Sequence, residues 1–194
     1  YTPEIPLWAQ LPVYAEEKMI PQFLPGLPGV AVEDDRTYVD TGSDGFPDQL
    51  LQFYEEYMDV VEGRRELFQS RFVLDAETAR GFFVFLEQIE ACASPPVALK
   101  GQVTGPITFG LGVPDQSRRA IFYDEQVRDA AVKLLALKAK FQVCKLAAAG
   151  LPVILFIDEP ALTGFGSSAF ISISGEDIQA CLQEIIAAIH AEGG

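Results

Sequence analysis

The chain has 194 residues, 49% of them hydrophobic and 22% charged, which suits one sizeable core and leaves little for a second. Its formal net charge of −14 repels a phosphate backbone and argues against nucleic acid as a partner. No apolar run approaches the roughly 20 residues that span a bilayer, and the proline-broken stretch 1–11 does not read as a signal peptide, so a cytoplasmic protein without a membrane partner is expected.

Residues 5–12 form a short apolar run between prolines. They fit a strand with Gln10 near its C-terminal end, or an extended loop over the core. Residues 14–23 fit a short helix ended by Pro21. Residues 30–32 and 37–39 flank the acidic turn Asp34-Asp35 and predict an antiparallel hairpin. A hairpin breaks the strand–helix alternation that follows, so it reads as an insertion covering one end of the main domain.

Four helices are predicted from 3.6-residue periodicity. The first, over 47–62, buries Leu50, Tyr54, Tyr57, Met58 and Val61. The second, over 75–91, buries Ala79, Phe82, Phe83, Leu86 and Ile89, with Asp75 as its N-cap. The third, over 124–149, carries Val127, Leu134, Phe141 and Cys144 inward and stops at Gly150. The fourth, over 175–191, buries Ile178, Cys181, Ile185 and Ile189 behind a Ser174/Asp177 capping box. Each of Cys92, Cys144 and Cys181 falls in a helical pattern with no metal-like spacing, so buried free thiols are expected rather than a zinc site.

Between the second and third helices, residues 97–104 read as a strand, and Gly105-Pro106 turns the chain into a short helical or irregular piece. Lys100, Gln102 and Thr104 share one face of that strand. They line a barrel lumen or site wall; alternatively Lys100 snorkels and Gln102 makes a structural hydrogen bond. Residues 110–119 carry two glycines and two arginines, fit for an anionic cosubstrate such as a polyglutamate tail, or for a mobile surface loop. After the third helix, five apolar residues, 153–157, run into Asp158, Glu159 and Pro160. A continuous apolar run behind a helix predicts a parallel strand buried on both faces. Acids at its C-terminal end stand where α/β folds place chemistry.

The order of elements predicts an α/β fold with parallel strands. A closed eight-stranded barrel needs about 250 residues. The expectation is therefore a single domain over 1–194 forming about half of a (β/α)8 TIM-type barrel, truncated at both ends, with an inserted β-hairpin. Open strand edges would promote self-association.

Two stretches then argue together: Lys100-Gly101-Gln102-Val103-Thr104-Gly105-Pro106-Ile107-Thr108 and Ile157-Asp158-Glu159-Pro160-Ala161-Leu162. In order and spacing they resemble the TGP-x-T and DEPAL segments of the cobalamin-independent methionine synthase catalytic barrel, within the uroporphyrinogen decarboxylase superfamily. The hairpin and brevity resemble its short stand-alone relatives. The resemblance implies a zinc-dependent methyltransferase acting on a thiol such as homocysteine, with a folate or a corrinoid protein as methyl carrier. It implies that Asp158 holds a substrate ammonium, that Glu159 orients the loop, and that Thr104 and Gly105 shape the neighbouring wall, with Gln102 beside them.

Departures are as informative. The family's zinc ligands, a His-x-Cys pair, a Glu and a later Cys, fall on strands beyond Gly194, and its Gly-Ser segment falls before Tyr1. His190, the single histidine, ends a helix without an x-Cys partner, a place the helix dipole favours. A fragment without those ligands is expected to be inactive by itself. A decarboxylase on the same framework is the alternative, although Arg64-Arg65 and Arg118-Arg119 are isolated pairs rather than a cluster for several carboxylates. A non-catalytic module, with Asp158 and Thr104 structural, is the third reading.

Overall fold

The structure, a computed structural model, describes residues 4–10, 12–34, 36–92, 94–166 and 173–194. Its centre is a long helix, α4 (Glu125–Ala147), whose N-terminus is set by the Asp124 carboxylate accepting from the Gln126 and Val127 amides. Val127, Ala131, Leu134, Leu135, Phe141 and Leu146 are buried on different sides of it, as a helix with neighbours all round requires. One neighbour is α5 (Gly175–His190), which begins with the Ser174/Asp177 capping box. Another is a parallel pair, β3 (Leu99–Thr104) and β4 (Val153–Asp158). Their register matches Leu99 with Val153 and Thr104 with Asp158.

The alternation of the strands gives the pair two unlike faces. Leu99 and Val103 point to the helices and are fully buried. Gly101 lies between them because β4 and α4 together leave no room for a side chain: an added Cβ would stand 2.6 Å from Leu155 Cδ1 of β4 and 3.0 Å from Gln142 Oε1 of α4. On the other face, Ile154 and Phe156 are open, Phe156 at 50% exposure.

A partial TIM-type barrel is not what forms. Among the described residues there are two small sheets, the antiparallel hairpin β1 (Val30–Glu33) with β2 (Arg36–Val39) and the parallel pair. Of the run 5–12, the described residues form no strand and touch β3 through a single bridge, Leu7 to Lys100. The reason is local. Beyond that bridge the backbone of Gln102 is taken by a side chain: Gln142 of α4 accepts from its amide at 3.3 Å and donates to its carbonyl at 2.9 Å. Prolines at 6 and 12 also remove two donors from the incoming segment.

Several other expectations shift. The second helix, α2, runs Arg80–Glu90, because Asp75 caps a separate turn by accepting from the Glu77 and Thr78 amides. Residues 14–23 form two 3-10 turns, Ala15–Glu17 and Pro21–Phe23. Of the three thiols only Cys181 is buried, and Cys92 is exposed. The first helix, α1, spans Phe46–Val61 with its proline in the first turn. Phe53 and Phe72 meet edge-to-face at 5.4 Å, and Trp8 and Phe82 at 5.5 Å, so the aromatic residues build core.

The hairpin does cover something. Val39 donates to the Pro114 carbonyl at 2.9 Å and Arg36 to that of Asp115 at 2.8 Å, tying it to the segment after the short helix α3 (Pro106–Gly112). The Asp115 carboxylate further fixes that segment through the Ser117 and Arg119 amides, so it is a held turn rather than a loose loop. Among the described residues, no helix is long and apolar enough to cross a membrane.

Candidate functional site

The carboxyl ends of β3 and β4 bring the sequence-predicted residues together. Gly105 donates to the Asp158 carbonyl at 2.9 Å, which extends the parallel pairing one step past Thr104. At Glu159 the chain leaves the strand, with φ −119° and ψ 63°, and Pro160 opens a 3-10 turn, Pro160–Gly164. The two neighbouring acids thereby part company.

Glu159 turns toward α3. Its carboxylate accepts from the Ile107 and Thr108 amides at 2.8 Å each and from the Thr108 hydroxyl at 2.5 Å. That hydroxyl accepts in turn from the Ala161 amide at 3.1 Å, closing a loop between β4 and α3. Orphan amides of a helix's first turn are met by a carboxylate, a favourable arrangement. Burial nonetheless pushes the Glu159 carboxyl above its ordinary range, against the lowering effect of its Thr108 and Ile107 hydrogen bonds. Gly105 is required here, since a Cβ would lie 2.2 Å from Glu159 Cγ and Cδ.

Gln102 and Thr104 are likewise employed in holding the N-terminal segment. The Thr104 hydroxyl donates to the Met19 carbonyl at 2.6 Å, and Gln102 Nε2 to that of Trp8 at 3.1 Å. Gln102 Oε1 accepts from Lys100 Nζ at 3.1 Å, and the same ammonium stands 4.1 Å from the ring centroid of Phe156. Asp158 differs from all of these. It is half-buried on the open face beside Thr104, and among the described residues its carboxylate has no partner.

Zinc does not fit what is present. Among the described residues, no group of three or more His, Cys, Asp or Glu side chains stands close enough to hold a metal. His190 ends α5, and burial pushes the Cys144 thiol up to about 11, with Glu192 adding to the effect. The arginine pairs are not an anion cluster either. Arg64 pairs with Asp59 and Glu62, Arg65 with Glu56, and Arg119 donates to the Tyr123 carbonyl.

A groove of about 700 Å³ lies elsewhere, lined by Leu7, Phe85, Ile89 and Cys92. It is apolar and lacks the convergent polar groups that mark a site of chemistry. Sequence reasoning missed Gln142, whose signal was a polar residue on an otherwise apolar stretch of helix. It also missed the Phe156–Lys100 contact, which the register does not state, since Lys100 pairs with Ile154.

Against protein-family models, curated proteins and solved structures, the chain matches none.

Proposed function

We propose that the carboxyl end of the β3–β4 pair is one wall of a small-molecule site, in which Asp158 holds the ammonium of an amino-acid thiol such as homocysteine. The reaction we assign to the protein is methyl transfer to that thiol, of the methionine synthase type. The observation that carries this reading is the Asp158 carboxylate. It is half-buried at a strand end and unpartnered among the described residues, while every neighbour of like chemistry is committed to structure. A carboxylate in that condition gains from a charge-assisted hydrogen bond with a cationic group. The TGP-x-T and DEPAL segments supply the reaction class, by resemblance.

The described residues bind and orient. None of them forms the zinc site that the resemblance implies, so no step is drawn through a metal. A folate or corrinoid methyl donor belongs to the same proposal. Titration calorimetry with L-homocysteine tests the reading. Saturable binding that falls at least ten-fold in Asp158→Asn is expected. Methionine formation by the intact protein from homocysteine and a methyl donor should fall with it. No binding, or equal binding by the variant, overturns the assignment.

A further inference from the structure

We propose that Lys100 is the second anchor of the same ledge, so that the open face of the β3–β4 pair takes a short zwitterion, its ammonium on Asp158 and its carboxylate on Lys100. The inference rests on the reading of Asp158 given above and adds to it a residue and a selectivity.

The register supplies the geometry. Lys100 pairs with Ile154, Gln102 with Phe156 and Thr104 with Asp158, so all six residues point to one face. Lys100 does not stay at its own level. Its ammonium reaches forward over the Phe156 ring, 4.1 Å from the centroid, and is steadied there by Gln102 Oε1 at 3.1 Å. From Phe156 to Asp158 is two residues of strand, about 7 Å. Two charge-assisted hydrogen bonds of about 2.8 Å and the backbone of an α-amino acid roughly fill that gap.

The charges are complementary and unspent. Lys100 makes no ion pair with any described carboxylate, and a lysine ammonium has three donors, of which Gln102 takes one. Nor does Asp158 pair with any described cation. Two opposite charges on one face, the ammonium held in place and neither paired with a described counter-charge, define a dipolar ligand rather than a simple cation or anion. Phe156, half-exposed between them, offers an apolar ledge to the ligand's side chain. The shift of Lys100 toward Asp158 is what sequence alone does not show, because alternation places its Cβ four residues away.

The test uses three related probes: L-methionine, 3-(methylthio)propylamine, which lacks the carboxylate, and 4-(methylthio)butanoate, which lacks the ammonium. Each is titrated calorimetrically into the protein and into Lys100→Gln and Asp158→Asn, with circular dichroism confirming that each variant is folded. The expected pattern is that L-methionine binds at least ten-fold more tightly than either truncated probe. Lys100→Gln should weaken L-methionine about ten-fold and leave the amine unchanged, whereas Asp158→Asn should weaken both. If Lys100→Gln binds L-methionine as the parent does while Asp158→Asn does not, the second anchor is wrong and the Asp158 reading stands. If Asp158→Asn changes nothing, or L-methionine does not bind, both fall.

Discussion

The two faces of the β3–β4 pair are built from the same two strands and live by opposite rules. Toward α4, Leu99 and Val103 are sealed, and even a glycine is needed to let the helix approach. Away from α4, Ile154 and Phe156 stand open beside Lys100 and Asp158. The inner face spends its residues on packing; the outer face buries Gln102 and Thr104 against the N-terminal segment and leaves Lys100 and Asp158 without an ion-pair partner among the described residues. A strand end can hold chemistry because the opposite face has already anchored it.

The contrast is sharpest in truncation. Leu99→Ala empties a fully buried position and should cost about 2–5 kcal/mol, while Phe156→Ala on the open face should cost about 1 kcal/mol or less. Urea denaturation of both variants measures this. Equal losses would mean that the outer face is also core.

Next is a charged-type residue sunk among the helices. Lys138 of α4 is fully buried and its Nζ has no hydrogen-bond partner. Desolvation brings its pKa down to about 7, eased only by the Asp75 carboxylate, against 10.5 for a free lysine. The folded state thus holds this proton less tightly than the unfolded one. The resulting penalty is full below pH 7 and fades as pH climbs toward 10.5. Lys138→Met should stabilise by about 1–4 kcal/mol at pH 7. Thermal melts over a pH series should show that gain shrinking as pH rises; a gain independent of pH would refute the cause.

A further expected effect falls on Gln142, which bonds both backbone groups of Gln102 from the helix side. Gln142→Leu leaves those groups unpaired and should cost about 1–3 kcal/mol. Hydrogen exchange at the Gln102 amide reads it directly. Unchanged protection would show that the N-terminal segment pairs there after all.

Much of the candidate site was legible in advance. Five apolar residues followed by two acids placed β4 and its end, although the expected burial of both its faces fails at Ile154 and Phe156, and the Ser174/Asp177 pair placed the start of α5. The separation of Asp158 from Glu159 was legible only in outline, as alternate faces of a strand. That Glu159 would satisfy the first turn of α3 depends on where α3 lies, which no local pattern states. The half-barrel expectation failed for a related reason. Counting strands presumes that each pairs with the next, and a glutamine from α4 ended that pairing after a single bridge.

The sequence by itself determined the hairpin, the strands of the parallel pair, the acid at its end and the helices over most of α1, α4 and α5, because periodicity, caps and turns are written in neighbouring residues. Only the tertiary structure decided which acid is free. Glu159 is spent on α3, because hydrogen bonds between distant segments fix side chains that local pattern leaves unassigned, and the Lys100 ammonium is carried forward over the Phe156 ring.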